Sequence, residues 1–202
     1  LILTTSITFK TFKKVNFQDI YIYGSKLFSN EDIVKNSSLK FPTSLIFVKT
    51  KFTELELKKN LSLKNVAVIR QILPFGLKIL IETRTPIAYG EMILNGEKIN
   101  GFIDKEGVFI NEKYSEKGNI EKLSSKVFGW NENFKDISSK ILNFQENNDV
   151  EFVTINFFPN GFVTLEEKSL KKILLGFKSK KIDAQLQIVN DIKNELDGNK
   201  LL

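Results

Sequence analysis

Cysteine and histidine are both absent from this chain of 202 residues. Their absence excludes zinc sites built from Cys and His, nucleophilic catalysis by Cys or by a Ser–His pair, and disulfide cross-links. Proline is scarce, with four residues, and Met and Trp occur once each. Several common classes of catalytic and metal site are therefore ruled out before any motif is considered.

The residues that are present have the composition of a folded protein. Hydrophobic residues make up 42% of the chain and charged residues 27%, which argues against disorder. The length is sufficient for one large domain or for two small domains that each have their own core.

The net charge of +6 has three interpretations. A solvated, Lys-rich surface is the simplest and is favoured. A nucleic-acid surface and a face near an anionic membrane would also use positive charge. No motif of the RNA-recognition kind interleaves Arg with aromatic residues, and the Lys residues are scattered along the chain. No nucleic-acid partner is therefore expected.

Acid–base catalysis by a pair of carboxylates is also disfavoured. Asp104 and Glu106 are close in sequence, but Asp104 followed by Gly107 is typical of a hairpin turn. The chain has no Gly-rich phosphate loop and no clustered acidic motif. We therefore expect no catalytic residue, cofactor, metal ion or small-molecule substrate.

The first fifteen residues form a separate segment. Residues 1–9 are apolar with small polar residues, and Lys10, Lys13 and Lys14 follow. Nine residues are too few to cross a bilayer, which takes ~20. The segment is either the cut end of a transmembrane helix or a frayed N-terminal strand. We favour the end of a membrane anchor and its juxtamembrane segment for residues 1–15.

Residues 16–84 have the pattern strand–helix–helix–strand–strand. Residues 17–23 predict a strand, and Ser29 with Asp32 predicts the capped start of a helix. Thr53 with Glu56 predicts the start of a second helix, with Leu57 and Leu61 on its buried face. Two alternating apolar runs between positions 66 and 81 flank a Pro/Gly turn, which indicates a β-hairpin.

Residues 85–202 predict a mixed β-sheet with two flanking helices. Short strands are expected at 87–93, 98–103, 108–110, 150–158, 162–166 and 171–175. Apolar residues at helical spacing predict one helix over 132–146 and a last helix ending near Gly198. The step Gly129-Trp130-Asn131 is interpreted as a loop. The fold class is thus α+β throughout.

Short segments, taken in chain order over residues 16–202, resemble the FtsQ/DivIB family of bacterial cell-division proteins. The order of elements in residues 16–84 resembles the POTRA domain of that family. The segments that carry the resemblance are Ile20-Tyr21-Ile22-Tyr23-Gly24, the hairpin with Arg70 and Pro74, Arg84-Thr85-Pro86-Ile87-Ala88, Phe102-Ile103-Asp104 with Gly107-Val108-Phe109, and Leu174-Leu175-Gly176.

This resemblance implies a bitopic protein of the bacterial inner membrane, enriched at the division septum. A POTRA domain (16–84) and an FtsQ-type β domain (85–202, with its last strand truncated) would lie outside the cytoplasm. The implied role is a non-enzymatic divisome scaffold that links early division proteins to an FtsB/FtsL pair and to the septal wall synthase. The alternative is a POTRA-containing component of outer-membrane protein assembly or transport.

Two sets of residues are candidate functional positions. If the strand after residue 175 is incomplete, the sheet edge is open and accepts a partner strand. The predicted partner-binding residues are Lys171, Lys172, Ile173, Leu174, Leu175, Lys200, Leu201 and Leu202. Arg84 and Pro86 are expected at the junction between the two domains, with Arg84 in an interdomain salt bridge.

Overall fold

The β-hairpin predicted from the alternating runs is the centre of the first half of the chain. In the computed structural model, which describes residues 13–115, 120, 123–177 and 181–199, its strands are Asn65–Gln71 and Gly76–Glu82. The chain divides into two compact units, one that ends at Arg84 and one that begins at Thr85.

The first unit contains a three-stranded sheet and two α-helices. Its elements in chain order are β1 (Lys14–Val15), β2 (Ile20–Tyr23), α1 (Asn30–Lys35), β3 (Thr43–Ser44), α2 (Thr50–Asn60), β4 (Asn65–Gln71) and β5 (Gly76–Glu82), with short 3₁₀ turns at Phe17–Asp19 and Leu45–Phe47. The sheet order is β2–β5–β4, in which β2 is parallel and β4 antiparallel to β5. β1 and β3 form a separate antiparallel pair.

Local sequence explains where α1 begins. The Ser29 hydroxyl accepts a hydrogen bond from the Asp32 backbone N–H at 3.2 Å, and the Asp32 carboxylate accepts one from the Ser29 backbone N–H at 3.0 Å. This reciprocal capping box satisfies two N–H groups that the first helical turn leaves free. The predicted cap is confirmed.

The predicted start of α2 is wrong. The helix begins at Thr50, one turn before the expected cap. Thr53 is buried inside the helix, and its hydroxyl donates to the Lys49 carbonyl at 3.1 Å. The Glu56 carboxylate instead accepts hydrogen bonds from Ser38. Tertiary contacts have therefore replaced the local cap.

The N-terminal boundary of the first unit also differs from the expectation. Lys14 and Val15, assigned above to the juxtamembrane segment, pair with β3, and Val15 is fully buried. The first unit includes these two residues, because burial of Val15 and the backbone pairing hold them against it.

The second unit is built on one seven-stranded sheet. Its strands are β6 (Pro86–Leu94), β7 (Glu97–Asp104), β8 (Phe109–Asn111), β9 (Lys126–Trp130), β10 (Phe152–Phe157), β11 (Phe162–Glu167) and β12 (Lys171–Phe177), and its helices are α3 (Lys135–Asn147) and α4 (Ile182–Asn199). The strand order is β12–β11–β10–β9–β6–β7–β8. β9 runs parallel to both of its neighbours, and the other pairs are antiparallel.

β9 is the strand that the sequence analysis missed, since it interpreted Gly129 and Trp130 as part of a loop. Val127 and Trp130 both face the core although they are three residues apart, because the pairing with β6 shifts register between them. Gly129 meets the backbone of β10 so closely that a Cβ there would lie 2.1 Å from the Phe157 carbonyl oxygen. A regular two-residue alternation is therefore absent from this strand.

The core of the second unit lies between one face of the sheet and the two helices. Ile141 of α3 and Leu186 of α4 are fully buried, and they belong to the same cluster as Phe152, Ile155 and Leu165 of the sheet. The fold class of both units is α+β, as predicted. None of the helices in the described part of the chain combines the length and the apolar character that a membrane crossing needs.

Candidate docking edge

β12 is the terminal strand of the seven-stranded sheet. It pairs with β11 on one side, with Lys172 opposite Glu166 and Ile173 opposite Leu165. Among the described residues no strand pairs with its other side. The backbone groups on that side are thus a site at which an extended chain can form hydrogen bonds.

The side chains of β12 divide between the two faces of the sheet. Leu175 is buried in the core, and Ile173 packs against it. Leu174 points to the opposite face and is 64% exposed, and Lys171 and Lys172 are exposed. An edge strand with Lys side chains and one large exposed apolar side chain offers a partner both charge and contact area.

A β-bulge ends the regular part of this edge. Leu174 pairs with Thr164 and Gly176 pairs with Val163, so Leu175 has no residue opposite it. The Leu175 carbonyl accepts a hydrogen bond from the Gln185 side chain of α4 at 2.9 Å. Because this carbonyl is occupied and the strand bends at a bulge, the accessible edge comprises residues 171–174.

Glu167 holds the turn that leads into β12. Its side chain is almost fully buried, and its carboxylate accepts hydrogen bonds from the Ser169 N–H at 2.7 Å, the Ser169 hydroxyl at 2.6 Å and the Leu170 N–H at 2.9 Å. The Lys193 ammonium of α4 lies 3.8 Å away. The edge strand is thus fastened to α4 at its first residues by Glu167 and at its bulge by Gln185.

The pKa of Glu167 reflects this environment. Burial raises the pKa of the carboxyl, but the hydrogen bonds from Ser169 and Leu170 and the charge of Lys193 lower it by more, so it lies below its ordinary value. The carboxylate is charged at neutral pH and holds the turn in that form.

The helix α4, which contacts β12 through Gln185, carries an exposed apolar stripe. Ile188, Ile192 and Leu196 recur every fourth residue and are exposed, so they line up along one side of the helix. Gln185, which contacts β12, precedes this stripe by one turn. The residues 171–174 and the stripe are together called the docking edge below. Asp191 and Glu195 are also exposed on α4 and give this part of the surface an acidic border.

The corresponding edge of the first unit is closed. The backbone N–H of Val68 in β4 donates to the Glu54 carboxylate of α2 at 2.9 Å, and the Arg70 guanidinium donates to the Val48 carbonyl at 2.6 Å. Burial raises the pKa of Glu54, but the hydrogen bonds from Lys51 and Val68 lower it by more. A charged side chain therefore occupies a position on β4 that a partner strand would need.

A groove of about 720 Å³ is lined by residues of β6, β7 and β9. Tyr89 and Phe102, whose ring centroids are 5.7 Å apart, contribute to this lining together with Lys126 and Phe128. The Glu91 carboxylate in the groove pairs with Lys98 at 3.2 Å. Across the described residues, no group of three or more acidic side chains converges closely enough to hold a metal ion.

The remaining residues that the sequence analysis singled out lie outside the docking edge. Asp104 accepts hydrogen bonds from the N–H groups of Glu106 at 3.0 Å and Val108 at 2.8 Å, which confirms the turn interpretation. Arg84 is the last residue of the first unit, and Pro86 is the first residue of β6. Residues 200–202 lie outside the described residues.

Sequence reasoning missed the residues of α4 and of the turn that support the edge. It assigned Leu196 to the same helical pattern as the buried Ile182, Leu186 and Val189, whereas Leu196 is exposed. The four-residue recurrence of Ile188, Ile192 and Leu196 was a visible signal for a second apolar stripe. Nothing local indicated the contacts of Glu167 and Gln185.

Comparison with family models and with curated proteins gives no match for this chain.

Proposed function

We propose that this protein is a non-enzymatic scaffold of the bacterial division machinery of the FtsQ/DivIB type. Its first unit acts as a POTRA domain and its second as the partner-binding β domain. The observation that carries the proposal is the edge of β12 at residues 171–174, which no other strand covers in the described part of the chain, together with an exposed apolar stripe on α4.

The order of elements supports the POTRA assignment. The strands of the three-stranded sheet and the two helices of the first unit follow one another along the chain as β2, α1, α2, β4 and β5. This is the strand–helix–helix–strand–strand order of that domain. The segments that resemble the family also occupy defined positions. Phe102, Ile103 and Asp104 end β7, and Gly107 and Phe109 follow across the turn into β8.

The proposed mechanism is β-augmentation. An extended segment of a partner forms backbone hydrogen bonds with residues 171–174, while its side chains contact Leu174 and acidic groups pair with Lys171 and Lys172. The stripe on α4 then packs against an apolar part of the same partner. The partners proposed are FtsB/FtsL-type bitopic proteins, which connect the scaffold to the septal synthase.

Localisation tests the cellular role. The full-length protein, fused to a fluorescent protein at its cytoplasmic end, is expected to form a band at midcell in dividing cells and to lie in the inner membrane. An even peripheral signal throughout the cell cycle would contradict the division role and favour the alternative in outer-membrane protein assembly.

Proline scanning tests the edge. Because the N–H groups of successive strand residues point to opposite sides, proline is introduced singly at Lys172 and at Ile173. One of the two variants removes an outward N–H and should lose binding to the extracytoplasmic segment of the FtsB-type partner. Proline at Val68, which removes the outward N–H that Glu54 already covers on the closed edge of β4, is the matched control. Unchanged binding by both β12 variants, with folding verified by circular dichroism, would refute the edge as the docking site.

A further inference from the structure

The first unit carries a net positive charge and the second does not. Residues 13–84 contain 13 Lys and Arg against 6 Asp and Glu, a net charge of +7, whereas residues 85–202 contain 16 against 18, a net charge of −2. The basic character of the whole chain thus comes from its first part. Such asymmetry is typical of proteins with a polyanionic surface as a partner.

The solvent-facing side of α2 combines this charge with large apolar side chains. Thr53 and Leu57 form the buried side of the helix. On the opposite side Phe52 is 51% and Leu55 68% exposed, one helical turn apart. Lys58 and Lys59 follow on the next turn, both exposed, and within the described chain they form no ion pair.

Two further apolar side chains lie near the N-terminal end of α2. Phe47 is 75% exposed and Leu73, at the tip of the β4–β5 hairpin, is 81% exposed. The hydrogen bond from Arg70 to the Val48 carbonyl joins these two segments. The Lys13 ammonium lies 5.3 Å from the centroid of the Phe75 ring in the same hairpin, so the chain enters the unit beside this tip.

The acidic residues of α2 are already engaged within the protein. Glu54 pairs with Lys51 at 2.8 Å and accepts from the Val68 N–H, and Glu56 accepts hydrogen bonds from Ser38. These hydrogen bonds leave both carboxylates charged, so α2 keeps three Lys against two Glu, a net charge of +1. The two Lys that form no ion pair within the described chain, Lys58 and Lys59, lie in its last turn. The surface is called the basic apolar face below, and its defining residues are Phe47, Phe52, Leu55, Lys58, Lys59 and Leu73.

We propose that the basic apolar face docks on the surface of an anionic lipid bilayer. Exposed Phe and Leu side chains enter the boundary between headgroups and acyl chains, and the neighbouring Lys side chains pair with lipid phosphates. A nucleic acid would use the charge but gain little from Leu55 and Leu73, which have no ring for stacking on bases. The inference does not rest on the proposed division role.

Vesicle sedimentation with the complete 202-residue chain tests this proposal. Binding is expected with phosphatidylcholine vesicles that contain phosphatidylglycerol, and it should weaken as the salt concentration rises. The double variant Phe52→Ser/Leu55→Ser should lower the partition constant roughly tenfold, because two apolar side chains no longer leave water. The double variant Lys58→Gln/Lys59→Gln should lower it roughly thirtyfold, and on anionic vesicles only, because each Lys near such a surface contributes about 1 kcal/mol.

The matched control is Ile93→Ser/Leu94→Ser, which removes two side chains of the second unit that are 58% and 50% exposed. It should bind like the unaltered chain. All variants retain residues 1–12, so any binding by that apolar segment is common to them. Leu73→Ser, on a different element, provides an independent variant should the α2 variant fail to fold. Unchanged partition of the folded α2 and Leu73 variants, or preferential binding to an oligonucleotide over anionic vesicles, would overturn the proposal.

Discussion

Replacement of Glu167 by alanine tests how the docking edge is held in place. The carboxylate accepts three hydrogen bonds from Ser169 and Leu170 and lies near the ammonium of Lys193. Alanine removes all of these interactions at the point where the chain turns from β11 into β12. The expected consequence is a loss of stability and a loosening of the edge strand.

The size of the loss follows from the groups left without a partner. A donor that loses its acceptor costs about 1–3 kcal/mol when it stays buried. Ser169 is exposed, so water can bind its N–H, whereas Leu170 is half-buried. The Lys193 ammonium still donates to the Asp149 carbonyl. We therefore expect Glu167→Ala to lower the free energy of unfolding by about 2–3 kcal/mol, and Glu167→Gln by about 1 kcal/mol because its amide oxygen still accepts.

Urea denaturation followed by Trp130 fluorescence measures this loss, with the neighbouring exposed Glu166→Gln as the control expected to change stability by less than about 0.5 kcal/mol. The pH dependence provides a second readout. The pKa of Glu167 is lower in the folded chain than its ordinary value of 4.5, so its stabilising effect is present above that value and is lost as the pH falls through the folded pKa. Equal stability of Glu167→Ala and Glu166→Gln would refute the reasoning.

Three further predictions concern other contacts. Gly107→Ala should destabilise the second unit by about 3 kcal/mol, because φ is +75° and a Cβ would lie 2.0 Å from a backbone oxygen of α3. The control Gly96→Ala, with φ +84° and open space around the residue, should cost only about 1 kcal/mol. Equal losses of stability in thermal denaturation would contradict the steric argument. Trp130→Phe removes the indole hydrogen bond to the Gly107 carbonyl at 2.9 Å and should cost about 1–2 kcal/mol by urea denaturation; an unchanged midpoint would refute this. Glu54→Ala leaves an N–H of β4 without its acceptor and should speed amide hydrogen exchange in β4 and cost about 1 kcal/mol, while Lys51→Met, which keeps that hydrogen bond, should leave the exchange unchanged.

The elements that sequence predicted well are those whose signals are local. The hairpin of β4 and β5 has two-residue alternation with a turn between its strands, and the cap of α1 lies within four consecutive residues. In both cases the stabilising partners are near in the chain, so their identity is readable from the residues themselves. The structure agrees closely with the prediction at these places.

Predictions failed where a distant partner decides the conformation. Thr53 had the form of a helix cap, but it is buried one turn inside α2. β9 was missed because its place depends on parallel pairing with β6 and β10, which are far from it in the chain. Parallel neighbours and register shifts leave no local pattern in the strand that they hold.

Some features of the docking edge could likewise be predicted from local sequence, and others depend on distant residues. The alternation of Ile173 and Leu175 around an exposed Leu174 follows from sequence, because side chains of a strand point alternately to opposite faces. Tertiary structure decided that β12 is the last strand of the sheet among the described residues, that Gln185 occupies the Leu175 carbonyl and that Glu54 closes the β4 edge. The sequence determines which segments can form strands and which face of each strand is apolar. Whether the edge of a strand is accessible depends on whether groups from distant parts of the chain bind its remaining N–H and C=O groups.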